Sequence, residues 1–88
     1  TEGDIQKFAA EHIHISDIPV PVVDFINLSN DKVNDVFSKQ AAEAILTAKE
    51  ILQGESSLEK TAKAETSIAS LSDEVRTLLL KTLASTGW

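Results

Sequence analysis

Residues 29–54 constrain the fold more than any other stretch, because their pattern is that of one long amphipathic helix. The stretch opens with Ser29, Asn30 and Asp31, whose side-chain oxygens accept hydrogen bonds from the amides of a first helical turn. Apolar residues then recur at steps of three or four positions: Val33, Phe37, Ala41, Ala44, Ala48 and Ile51. Gly54 ends the stretch, because glycine readily takes the left-handed conformation found after many helices. The pattern predicts a single helix that buries one face in a bundle core.

Two features of this predicted helix bear on its neighbours. Ala41, Ala44 and Ala48 are small, so another helix can approach closely over the middle of the apolar face. Leu46 instead points away from that face and lies among charged residues. We therefore expect Leu46 to be a point of contact with a partner.

Composition limits the fold to one small domain. The chain has 88 residues and no cysteine or methionine, which predicts a single domain over residues 1–88 with one modest core. Aromatic residues make up only 5%, and this favours an aliphatic helical interior over a β-sandwich. Without cysteine there is neither a disulfide framework nor a thiolate metal site, and this fits the reducing cytoplasm as the expected location.

The charge balance excludes several classes of partner. Eight basic residues stand against fourteen acidic ones, for a formal net charge of −6, so the chain lacks the positive surface that nucleic acids and anionic membranes require. No apolar stretch approaches the length of a membrane span, and no basic segment leads into an apolar run as in a signal peptide. We expect the partner to be another protein or a second copy of the chain.

The N-terminal part predicts a helix over residues 4–13, followed by a segment in which apolar residues alternate with His12 and His14. An extended conformation competes there with the end of the helix. On a strand, the two imidazoles would share a face near Asp17. Two histidines without a third nitrogen or sulfur ligand are a weak metal signal, so we expect no metal and no other cofactor. A pH-sensitive contact is a lesser alternative.

Residues 16–28 contain an apolar run that Pro19 and Pro21 interrupt. Proline removes a backbone donor and biases the preceding residue toward extended conformations. We expect an extended connector that leads into a short helix, with Pro21 near its first turn. The side chains predicted to be buried there are those of Val22, Val23, Phe25, Ile26 and Leu28.

Residues 56–70 are polar on nearly all sides. Ser56 and Glu59 have the spacing of a capping box, while only Leu58 and Ala62 are available for burial. Such a segment is a marginal helix, a solvent-facing helix, or one that a partner orders. The apolar stripe changes direction afterwards, which predicts a break near residues 70–72.

Residues 72–84 predict a second strong helix, capped by Ser72 or Asp73. Its apolar arc is broader than one neighbour requires, because Leu78 and Leu80 extend it, so the helix is either inserted between others or used for association. Trp88 at the C-terminus either folds back onto the core or serves as an exposed anchor.

These patterns predict an all-α fold, a small bundle of about four helices with a Pro-interrupted connector. The chain has no glycine-rich phosphate loop and no serine in a glycine-rich turn near a histidine, so we expect no enzyme. The expected function is a noncatalytic protein-interaction module, such as an adaptor, inhibitor or assembly component. A self-associating structural protein is the alternative, and a carrier with a cleft between helices stays open. The candidate partner-binding residues are Leu46, Leu78, Leu80 and Trp88.

Overall fold

The computed structural model describes residues 2–55 and 57–86, with side chains from residue 7 onward within those ranges. Six helices and one two-stranded hairpin make up this part of the chain, in the order α1 (Glu2–Glu11), β1 (His12–Ile15), β2 (Ile18–Pro21), α2 (Val22–Asn27), α3 (Asn30–Val36), α4 (Lys39–Leu52), α5 (Leu58–Ala69) and α6 (Asp73–Ser85). The predicted mostly helical class is confirmed. The structure differs in detail from a bundle of about four helices, because it adds a hairpin and divides the helical sequence more finely.

The hairpin begins at His12, in the segment for which the sequence allowed either an extended conformation or the end of the first helix. β1 pairs antiparallel with β2, with Ile15 opposite Ile18 and His12 opposite Pro21. Ser16 and Asp17 connect the strands with positive φ angles of 51° and 67°. A two-residue loop with both residues in this region is a type I′ turn, whose twist matches that of a hairpin. The predicted Pro-interrupted connector is thus partly a β-strand.

The predicted single helix over residues 29–54 is wrong, because the chain breaks between α3 and α4. Phe37 is extended, with φ of −109° and ψ of 154°, and turns its ring into the core. The hydroxyl of Ser38 then accepts a hydrogen bond from the amide of Ala41 at 3.3 Å and caps α4. The apolar spacing continues across the break, so periodicity alone does not reveal it. Gly54 has the expected positive φ, 92°.

The core lies between α4 and α5, with β1 and α1 packed against α5. Ala41 and Ala48 are buried, and their small side chains allow the close approach that the sequence predicts. The approach brings the hydroxyl of Ser67 on α5 within 3.0 Å of the carbonyl oxygen of Ala44, to which it donates. The alanine face of α4 is therefore covered within the chain.

The polar segment is an ordered helix, α5, and its buried face is not the predicted one. Leu58 and Ala62 are exposed, while Thr61, Ala64 and Ile68 are buried at helical spacing. Thr61 tolerates burial because its hydroxyl donates to backbone carbonyls one turn back, at 3.0 and 3.2 Å. The capping residue is Ser57, and Ser56 lies outside the described residues.

The short helix α2 follows Pro21, as expected, and buries Val22, Phe25 and Leu28. These residues are three apart and share one face. Val23 lies on the opposite face and is 59% exposed, so its predicted burial is wrong.

The last helix and the break before it are confirmed. α5 ends at Ala69, and the hydroxyl of Ser72 accepts from the amide of Val75 at 3.3 Å to cap α6. Leu79 and Leu83 anchor α6 in the core. Within the described ranges, none of the helices has the length and apolar character to cross a bilayer.

Candidate interaction surface

One groove combines an apolar lining with apolar side chains exposed at its margin, and we name it the N-terminal groove. It lies between the end of α1, the open end of the hairpin, α2 and the end of α4. Its volume is about 310 Å³, and it is lined by Glu11, His12, Pro21, Val22, Val23, Ile26, Leu52 and Gly54. This volume is at the lower end of the range for ligand sites, about 300–1,000 Å³.

Two large apolar side chains flank the N-terminal groove in contact with water. Val23 is 59% exposed, the highest value among the large apolar residues of the described chain, and Phe8 is 48% exposed. The ring of Phe8 stacks on that of His12, with centroids 3.8 Å apart and planes at 12°. Phe8 therefore extends the lining of the groove onto α1. Exposed apolar side chains beside a groove are a feature of interaction sites.

His12 places a polar atom in the wall of the groove. Its Nδ1 lies 2.8 Å from the carbonyl oxygen of Phe8. A carbonyl can only accept, so Nδ1 carries the proton and, in the neutral ring, Nε2 is an acceptor. The bond occupies one of the carbonyls left free at the end of α1. Nε2 makes no hydrogen bond to any described residue and stays available to a ligand.

The outer edge of β2 lacks backbone donors. Ile15 and Ile18 flank the two-residue turn and form the first hydrogen-bonded pair, so the amides of Ile18 and Val20 face β1. The positions that face outward are occupied by Pro19 and Pro21, which have no N–H. A further strand cannot form a regular ladder along this edge.

The edge of β1 is engaged by a side chain of α5. The backbone amide of His14 donates to Oε1 of Glu65 at 2.9 Å. The ring Nδ1 of His14 lies 3.0 Å from the same oxygen. Glu65 thus holds the hairpin against α5 and occupies the outward donor at the centre of β1, a position that an added strand would need.

A second, polar cleft lies at the turn of the hairpin. It has a volume of about 420 Å³ and is lined by His14, Ser16, Asp17, Glu65, Ile68, Ala69, Asp73 and Arg76. Arg76 pairs with Asp73 one turn earlier on α6. Among the described residues, no group of three or more His, Cys, Asp or Glu side chains is arranged to hold a metal ion. Instead of chelating one ion, His12 and His14 bond to two separate elements.

Lys49 is a buried cation on α4. It is 7% exposed, and its Nζ donates to the carbonyl of Leu28 and to Oδ1 of Asn30, the latter at 2.6 Å. Burial lowers the pKa of Lys49 below its ordinary value of 10.5. The side chain ties α4 to the junction between α2 and α3.

The candidate residues predicted from sequence are spread over the molecule. Leu46 and Leu80 are half-buried and pack against the core. Leu78 is 38% exposed, and Trp88 lies outside the described residues. The described members of this set do not line the N-terminal groove. The margin residues Val23 and Phe8 were missed because both fall in apolar patterns that predict burial.

No protein-family model matches this chain, and neither a curated protein nor a solved structure matches it.

Proposed function

We propose that this chain is a noncatalytic protein-interaction module that binds a partner protein through the N-terminal groove. The observation that carries the proposal is the exposure of Val23 in the lining of an apolar groove, together with the exposed Phe8 stacked on the lining residue His12. Ile18, Leu58 and Leu78 are also exposed, but none of them lines this groove.

The area available at the groove supports a useful binding energy. Full burial of a Val or Phe side chain contributes about 1.5–3 kcal/mol. Val23 and Phe8 are each roughly half exposed, so a partner that covers both gains about 1.5–3 kcal/mol from these two side chains.

The noncatalytic part of the proposal rests on how the histidines are used. His12 bonds to the end of its own helix, and His14 bonds to Glu65 on α5. Each bond ties Nδ1 of a ring to the fold, which supports a noncatalytic role for both histidines.

The experiment is affinity capture with three forms of the full chain: wild type, Val23→Ser and Leu78→Ser. Both substitutions shorten an exposed apolar side chain, so neither should impair folding, and circular dichroism checks this. The proposal predicts that wild type and Leu78→Ser retain the same partner and that Val23→Ser loses it. Equal retention by all three forms would refute binding through the groove.

Self-association through α6 is a second candidate. Val75 and Leu78 lie one turn apart on α6, and Leu78 is 38% exposed. The α4 route to self-association is less favoured, because α5 covers Ala41 and Ala48. Light scattering coupled to size-exclusion chromatography tests this candidate: a mass that rises with concentration in wild type, but not in Leu78→Ser, would support it. A monomer at every concentration would rule it out.

A further inference from the structure

We propose that the occupant of the N-terminal groove is an amphipathic helix of a partner protein that carries basic residues beside its apolar face. This inference rests on the proposed function and adds the conformation and the charge of the partner segment. Three observations carry it: the closed edges of the hairpin, the shape of the lining, and the charges around the groove.

The closed edges exclude strand addition as the mode of binding. A peptide that adds a strand gains its affinity from backbone hydrogen bonds to a free sheet edge. Pro19 and Pro21 remove the outward donors of β2, and Glu65 occupies the central outward donor of β1. The partner must therefore contact side chains and bring its own backbone hydrogen bonds, as a helix does.

The lining suits the apolar face of a helix. Its apolar side chains come from three separate elements, β2, α2 and α4, so they form a trough without a continuous backbone edge. Val23 on α2 lines the groove, Phe8 on α1 stacks on the lining residue His12, and both side chains are exposed to an incoming helix. A helix laid in a groove is recognised through such anchors at positions i, i+3, i+4 and i+7.

The charges around the groove favour a cationic partner. Glu11 lines it and is exposed, Asp24 follows Val23 on α2, and Glu55 follows the lining residue Gly54. Two cations oppose these three carboxylates: Lys7 lies one turn before Glu11 on α1, and the ammonium of Lys60 lies beside the lining residue Gly54, where it donates to the carbonyl of Gln53 at 2.9 Å. The local excess is therefore one negative charge. The whole chain carries −6. Lysine or arginine beside the apolar face of the partner complements this field, and the acceptor Nε2 of His12 suits their N–H donors.

The test is a titration of the isotope-labelled full chain with three synthetic peptides, followed by nuclear magnetic resonance. Two peptides are helices with the same leucine face, and their polar positions are all lysine in one and all glutamate in the other. The third alternates leucine and lysine, as a strand does. The proposal predicts shifts at Phe8, Val23 and Ile26 with the lysine helix, and an affinity at least about tenfold lower for each of the other two peptides.

Two pairs of variants separate the site from the charge. Val23→Ser should weaken binding of the lysine helix, while Leu78→Ser, an equivalent truncation on α6, should not. Glu11→Gln should lower the affinity for the lysine helix and make that affinity less dependent on salt concentration. Glu74→Gln on α6 should leave the affinity unchanged.

The outcomes distinguish this inference from the proposed function. Equal binding of the two helices in the groove would overturn the basic partner and leave the groove as a binding site. Equal binding of the strand peptide would overturn the helical partner. If the resonances of the groove residues shift when the chain is diluted without peptide, the occupant of the groove is a second copy of the chain and the proposal of a separate partner is overturned. No shift at the groove with any peptide would remove the support for both proposals.

Discussion

Replacement of Lys49 by methionine tests whether a buried cation holds α2, α3 and α4 together. Methionine keeps an unbranched side chain of similar length but donates no hydrogen bond. In the structure Nζ donates to the carbonyl of Leu28 and to Asn30. Asn30 is exposed and regains water in the variant, whereas the carbonyl of the buried Leu28 loses its bond to Nζ.

The expected net effect is a loss of about 1–2 kcal/mol in the free energy of unfolding at neutral pH. The buried carbonyl left without its donor costs about 1–3 kcal/mol, and relief from burying a charge offsets part of this. For a domain of this size, the melting temperature should fall by about 4–16 °C. Urea unfolding followed by circular dichroism measures the change. Lys81→Met, at an exposed position on α6, is the control and should stay within about 0.5 kcal/mol of wild type.

The pH dependence identifies the cause. In the folded chain, burial lowers the pKa of Lys49 below its ordinary value of 10.5. At a pH between the lowered pKa and 10.5, the unfolded chain therefore binds more protons than the folded chain. Lys49 therefore makes wild-type stability rise with pH in that window, by at most about 1.4 kcal/mol per unit. Lys49→Met lacks this contribution. The difference in the free energy of unfolding between wild type and Lys49→Met should therefore grow as the pH rises through that window. A deficit no larger than that of Lys81→Met, or one independent of pH, would refute the reasoning.

Three further predictions concern the helix contact and the hairpin. Ala48→Leu, at a fully buried position facing α5, should overpack the core and lower the free energy of unfolding by about 1–3 kcal/mol; unchanged urea unfolding would contradict the close contact. Ser16→Asn combined with Asp17→Gly should raise it by about 1 kcal/mol, because these residues prefer the type I′ conformation. A lower melting temperature would count against that turn. Replacing Pro19 and Pro21 by threonine should restore outward donors on β2 and promote association at high concentration, visible by light scattering. A strictly monomeric double variant would show that the prolines do not guard the edge.

The candidate site was only partly foreseeable from sequence. The sequence singles out the run that Pro19 and Pro21 interrupt, yet it predicts burial for Val22, Val23, Phe25, Ile26 and Leu28 alike. Val23 shows why: on a helix of six residues, burial depends on which side faces α4, and apolar character does not specify that side. Phe8 likewise has the spacing of a core residue on α1. Its exposure is set by where α1 lies on α5 and β1, a non-local arrangement.

By itself, the sequence determined the features that depend on neighbouring residues. These include the mostly helical class, a start of α6 capped by Ser72 or Asp73, the break after α5 and the positive φ at Gly54, because capping and left-handed glycine are local effects. The tertiary structure alone decided which faces are buried and where the apolar stripe of residues 29–54 is interrupted. Phe37 turns inward there although helical spacing continues, and α5 buries Thr61 because its hydroxyl bonds to its own helix while its methyl packs in the core. Such choices follow from the total burial of the assembled chain, which no local pattern contains.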